Sequence, residues 1–115
     1  MSEPTIDRAT FDALRDTTGA EFVVELVRTF VEEAPGMLAE MRRARRAGDA
    51  DAFRRNAHSL KSNARTFGAA ALAAMARDLE TGGLERASAA GDAPLDALEA
   101  EYARVAAALK ALCHA

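Results

Sequence analysis

Tryptophan is absent from this 115-residue chain, tyrosine occurs once (Tyr102) and cysteine once (Cys113). One cysteine closes no internal disulfide, which excludes a stapled secreted fold and fits a reducing compartment. β-Branched residues are scarce, with five Val, one Ile and seven Thr, so an all-β domain is excluded and a sheet of any size has little to build on. No stretch approaches the ~18 consecutive apolar residues of a membrane span, and Met1–Arg15 carries no apolar core of a secretion signal. The expectation is a cytoplasmic protein without membrane association. A net charge of −3 argues against a nucleic-acid binder, whose affinity rests on neutralising phosphates. Lysine is nearly missing as well: 13 of the 15 basic residues are Arg, leaving Lys61 and Lys110.

What the chain has in excess is alanine, 29 residues in all, and alanine is the strongest helix former. Apolar residues recur at helical spacing in five segments. The pattern predicts helices over 7–16, 20–47, 50–67, 69–87 and 95–113 of a single domain spanning 1–115. Asp7 or Thr10 caps the first, and Thr17-Thr18-Gly19 ends it. The second carries Pro35 inside it, which predicts a kink near Val31–Ala34. Its final arginines, Arg42, Arg43, Arg45 and Arg46, read as solvated complements of the helix dipole. The third has the seam Phe53, Ala57, Leu60, Ala64 and Phe67, and Gly68 follows. In the fourth, Gly82-Gly83 weakens or ends the helix, with a last turn around Leu84–Ala87. The fifth has the seam Leu95, Leu98, Tyr102, Val105, Leu109 and Leu112, with Glu99, Glu101, Arg104 and Lys110 on other faces. Amphipathic helices joined by short turns pack as an antiparallel four-helix bundle, here with a short additional N-terminal helix.

One residue is out of keeping with a simple scaffold. On a helical wheel turning about 100° per residue, with Leu60 at zero, the third helix's seam falls within roughly −20° to +60°. His58 falls near 160°, facing solvent, among Arg54, Lys61, Ser62 and Arg65. An exposed neutral imidazole is a nucleophile near neutral pH. A small residue at i+4 leaves space beside the ring, and cations at i−4, i+3 and i+7 suit a phosphoryl dianion. The wheel by itself leaves a second reading open, that of a solvated basic stripe with a spectator histidine. A metal site needs three or four convergent ligands, and His58 has no His or Cys near it in sequence. A Ser-His-Asp arrangement needs a pocket that Ala-rich seams do not offer. No Gly-rich phosphate loop is present, so no nucleotide site of the chain's own is expected.

The string His58-Ser59-Leu60-Lys61-Ser62-Asn63-Ala64-Arg65-Thr66-Phe67-Gly68-Ala69, followed by Leu72 and Leu79-Glu80, resembles the signature of histidine-containing phosphotransfer (HPt) domains of bacterial phosphorelays. Glu32-Glu33-Ala34-Pro35 and the Ala47-Gly48-Asp49 turn look like that family's second helix and its exit. The likeness covers roughly Phe22 to Leu112. It implies a monomeric bundle that accepts a phosphoryl group from a receiver-domain phospho-aspartate and donates it to another receiver's aspartate. By the match, His58 is the phosphorylated residue and Lys61 takes the place of the lysine beside the phosphate. Ser62 stands where the family often has Gly; it is still small, and its hydroxyl is available to the phosphoryl oxygens. Gly68 matches a structural glycine at the helix turn. The resemblance further implies partners among response regulators and hybrid histidine kinases, and no cofactor of the chain's own, Mg²⁺ being expected on the receiver. Arg54 and Arg65 are expected on the phosphate side. Phe30, Ala34, Met37 and Leu38 are candidates for an apolar docking patch beside it, with core packing as the competing reading of the same residues. Two rivals share the bundle. One is a histidine-kinase dimerisation domain, in which an acidic residue usually follows the histidine and a proline comes later in the same helix; Ser59 and an uninterrupted third helix depart from that. The other is an HPt-shaped adaptor without phosphotransfer.

Overall fold

A computed structural model describes residues 5–114. They form α1 (Arg8–Thr18), α2 (Ala20–Ala47), α3 (Ala50–Phe67), α4 (Ala70–Ala90) and α5 (Ala93–His114), with no strand among the described residues. The breaks between helices are short, and each has a local cause. Asp7 caps α1 by accepting from the Thr10 backbone N–H at 3.3 Å. Gly48, in the left-handed region at φ 74, ends α2, and Asp49 then caps α3 by accepting from the Ala52 N–H at 3.1 Å. Asp49 is held below the usual carboxylate range by that backbone bond first and by Arg43 second. Turns this short fold each helix back on its predecessor, which gives antiparallel neighbours. No helix among the described residues is long and apolar enough to cross a membrane.

The all-α architecture expected from the sequence is the observed one. α3 packs most extensively on α4 and next on α2, while α1 lies across α2 and α3. Ala34, Ala44, Ala57, Ala64 and Ala76 are fully buried, and their small side chains let the helix backbones approach. Phe53, Met41, Leu60, Leu72, Leu98 and Leu109 fill the layers between them. Truncating one of these leucines to alanine costs about 2–5 kcal/mol in a packed core. Phe30 sits at the centre of an aromatic group, its ring 5.3 Å from that of Phe67 and 5.8 Å edge-on from that of Tyr102.

α2 runs as one helix through Pro35. Proline has no N–H, so the carbonyl one turn back, that of Val31, loses its intrahelical donor. The Tyr102 hydroxyl on α5 donates to the Val31 carbonyl at 3.0 Å. A tertiary hydrogen bond therefore fills the gap that the proline opens.

Several expectations are corrected. The interruption expected at Gly82-Gly83 is present, with Gly83 non-helical at φ 71, ψ −177, but the helical stretch beyond it runs on past Ala87, which is buried, to Ala90. α5 begins two residues before Leu95, since Pro94 falls in the first turn, where a missing N–H costs nothing. The arginines ending α2 are not simply solvated. Arg42 bonds Glu99 and Asp96, both at 2.7 Å, and Arg45 bonds Asp92 at 2.5 Å, so two of the four brace α2 to α5 and to the turn before it. Glu101 is buried and paired to Arg104 at 2.6 Å. Phe22, near the start of α2, is 53% exposed despite its apolar ring.

Candidate functional site

α3 is fastened to the core by Ala57, Leu60 and Ala64, all fully buried. His58 lies between these anchors on the opposite face, its side chain 58% exposed. Its backbone is therefore fixed while its ring stands in solvent. Lys61 follows one turn later. Both side chains converge on Glu80 of α4: His58 Nδ1 lies 2.7 Å from Glu80 Oε2, and Lys61 Nζ donates to Glu80 Oε1 at 2.6 Å. One carboxylate thus uses one oxygen on each of two α3 residues spaced i, i+3, which share a helix face.

The charge state of Glu80 decides the chemistry of the ring. Its carboxyl is held below the usual carboxylate range, chiefly by the Lys61 hydrogen bond and also by His58, against the opposing effect of burial. An ionised carboxylate only accepts hydrogen bonds, so Nδ1 must carry the proton. In a neutral imidazole the lone pair then resides on Nε2. Nε2 is the nitrogen not engaged by Glu80, on a side chain more than half exposed. The arrangement orients the ring as carboxylates orient histidine in hydrolytic triads, but it presents a nucleophile outward in place of activating one inside a pocket.

The other residues singled out from sequence divide into groups. Ser62 is exposed beside His58, one turn on. Lys61 is less exposed than its wheel position suggests, at 14%, because Glu80 draws its ammonium against α4. Arg54 is exposed and paired with Asp51 at 3.2 Å, and Arg65 is exposed without an ion-pair partner among the described residues. Neither arginine makes a hydrogen bond to His58 among the described residues. Of the two readings of the apolar candidates, core packing holds and the docking patch does not for three of them: Phe30, Ala34 and Leu38 are buried in the core, and Met37 is half-buried. They fall on the inner stripe of α2, so packing claims them. Gly68 has the structural role expected of it. At φ 81 it closes α3, and its carbonyl accepts from the Asp7 N–H at 2.8 Å, tying α1 to the end of α3. Glu80 was not named from sequence as a site residue. Its signal was present in the Leu79-Glu80 pair of the signature string, but no wheel of a single helix connects residues 22 apart.

The sequence model of the Hpt domain family matches residues 25–115. The chain belongs to the Hpt family. This Hpt chain is similar to the crystal structure of histidine-containing phosphotransfer protein B (HptB) from Pseudomonas aeruginosa PAO1, with a TM-score of 0.84 and 30% sequence identity over 98% of this chain and 97% of that one. Among proteins of curated function, none matches it. Membership of the Hpt family supports a phosphotransfer role in a phosphorelay and displaces the reading as a kinase dimerisation domain.

Proposed function

We propose that this Hpt chain is a phosphorelay intermediate in which His58 takes a phosphoryl group from the phospho-aspartate of one receiver domain and passes it to the aspartate of another. The observation that carries the reading is the Nδ1 contact with Glu80 at 2.7 Å on a side chain that stays 58% exposed. In the neutral ring this contact leaves the lone pair on Nε2, on a side chain open to solvent. In the forward step the Nε2 lone pair attacks phosphorus in line. The bond from phosphorus to the aspartyl oxygen breaks, and its electrons return to the carboxylate. Lys61 has three donors and spends one on Glu80, so the others are free for a phosphoryl oxygen. Ser62 offers a small side chain and a hydroxyl beside the ring. Arg54 and Arg65 supply positive charge around the site without touching the ring, which suits approach of an anionic partner. The Mg²⁺ that neutralises charge during transfer belongs to the receiver.

The chain acts in this reading as a carrier, without an ATP site of its own, as a monomer in the cytoplasm. Its partners are receiver domains of response regulators and of hybrid histidine kinases. The test is incubation with a radiolabelled phospho-receiver. Acid-labile, base-stable label should appear on the wild-type chain and be absent from His58→Gln. Label that persists in His58→Gln would remove His58 as the acceptor, and no label from any receiver would favour the adaptor reading.

A further inference from the structure

We propose that Arg77 and Arg86, at the bend of α4, are a second anchor for the receiver domain docked at His58 and take an acidic segment of that domain. The proposal rests on the carrier role of His58 given above. Gly83 leaves helical geometry at φ 71, ψ −177, and beside this bend a crevice of about 520 Å³ runs from α4 to Pro94 of α5. Arg77, Arg86 and Asp78 are the charged residues lining it. A helical side chain leans toward the turn before it, and for Arg86 that turn holds Gly82. A Cβ built on Gly82 would come within 2.9 Å of Arg86 Cδ, so the glycine leaves the room in which the Arg86 stem lies. Arg86 is exposed and makes no ion pair or hydrogen bond among the described residues. Arg77 pairs with its neighbour Asp78 at 3.5 Å on the surface, a contact of the exposed kind that solvent largely screens. Both guanidinium groups are therefore available to a partner.

Place, shape and charge decide the occupant. Arg77 lies one turn before Glu80, which holds His58 Nδ1, and Arg86 lies six residues after Glu80, about 9 Å along a helix. A protein partner covers about 800 Å² of each surface, a disc roughly 16 Å in radius, so a domain centred on His58 reaches both arginines. The crevice is shallow, and of its lining only Ala87 is buried. A free small molecule needs walls that bury most of its surface. A segment of a domain already held at His58 binds in effect intramolecularly and needs one wall only. The flanks of α3 also differ in sign. Glu32 and Glu33 of α2 are exposed without an ion pair among the described residues, while the α4 flank presents Arg77 and Arg86; Glu85 is exposed there too but does not line the crevice. Closer to the ring, Arg54 and Lys61 are already paired, to Asp51 and Glu80. An acidic segment is attracted to the α4 flank and repelled from the α2 flank. That fixes how the receiver is turned on His58 and disfavours receivers with the opposite pattern.

The test measures the rate of labelling from a radiolabelled phospho-receiver, the one that labels wild type fastest, over a range of receiver and salt concentrations. The double variant Arg77→Ala/Arg86→Ala should raise KM about tenfold, as loss of two exposed charge contacts allows, with the rate at saturating receiver unchanged. Its KM should also rise less steeply with salt than that of wild type. Arg28→Ala, on α2 and paired with Glu25, should leave KM within about twofold. Gly82→Ala is the second variant. Alanine favours the helix, so Tm should hold or rise, yet the new Cβ displaces the Arg86 stem and KM should rise as in Arg86→Ala. A KM unchanged in the double variant overturns the proposal, as does a fall in the saturated rate alone, which would put the arginines in the chemical step. A rise in KM confined to variants that lower Tm overturns it too. Saturable binding of phenyl phosphate at micromolar concentration, read from the crevice amides by NMR, would reassign the crevice to a small anion. Failure of wild type to take up label would overturn the carrier role, whereas normal labelling with an unaltered KM overturns only the anchor.

Discussion

Replacing Tyr102 with Phe isolates the hydrogen bond that compensates for Pro35. The Tyr102 hydroxyl donates to the Val31 carbonyl at 3.0 Å, and burial keeps the phenol protonated by raising it further above its ordinary range. Phe preserves the ring and its edge-on contact with Phe30, so the variant removes little beyond the donor. A net hydrogen bond is worth about 0.5–1.5 kcal/mol, and a buried acceptor left without a partner costs about 1–3 kcal/mol. Val31 and Tyr102 are half-buried, so water relieves part of that cost, and Tyr102→Phe should lose about 1 kcal/mol, or roughly 4 °C in Tm for a domain of this size. The same change in a Pro35→Ala background should cost at most about 0.3 kcal/mol, because the backbone N–H gained with alanine restores the intrahelical bond to Val31 and makes the hydroxyl redundant. Urea unfolding of the four proteins closes the double-mutant cycle. Equal losses in both backgrounds would refute the view that Tyr102 serves the carbonyl orphaned by proline.

Gly68→Ala faces a left-handed backbone at φ +81 and a Cβ placed 2.9 Å from the Asp7 carbonyl, whereas Gly48→Ala faces φ +74 with open space. Gly48→Ala should cost about 1–2 kcal/mol for the backbone alone, and Gly68→Ala at least about 1 kcal/mol more because α1 must lift away from α3; equal losses in chemical denaturation would contradict the close approach. Lys61→Ala should slow phosphorylation of His58 by roughly tenfold, equivalent to about 1.4 kcal/mol of lost transition-state stabilisation, with the helical circular dichroism signal unchanged. An unaltered rate would mean that Lys61 serves Glu80 only. Glu80 also predicts a pH effect on stability. Its folded carboxyl lies below the ordinary value of 4.5, so its contribution is present above that value and is lost as pH falls through the folded one. Wild type should therefore exceed Glu80→Gln in Tm at neutral pH and converge on it in acid; a Tm gap that persists undiminished at pH 3 would exclude the ion pair as its source.

The fold was legible because its signals are local. The seams of α3 and α5 repeat every three and four residues, Gly48-Asp49 combines a left-handed stop with a cap, and Gly68 supplies the same left-handed stop at the end of α3. Boundaries moved where two local rules compete. Gly82-Gly83 has the composition of a helix end and does interrupt α4 at the non-helical Gly83, but a second helical stretch with Ala87 buried then carries it to Ala90. The arginines of α2 have the composition of a solvated helix end, but the acidic partners of Arg42 and Arg45 lie about fifty residues further on, a pairing that exists only once α2 and α5 are adjacent.

The site was legible to the same depth and no further. A wheel drawn on α3 alone puts His58 in solvent, and the exposure of its ring agrees. The same wheel puts Lys61 in solvent, because it carries no information about what lies beside the helix. α4 covers one edge of the exposed face of α3, and there Glu80 takes hold of Lys61 and of His58 Nδ1. Which ring nitrogen is nucleophilic is therefore set between helices, by a residue on the far side of the Gly68 turn. A spectator histidine needs no such partner, since a solvated imidazole is free to take either tautomer. The carboxylate ties the neutral His58 ring to one of them and leaves its lone pair on Nε2, the nitrogen away from Glu80, an arrangement that suits the proposed phosphoryl carrier.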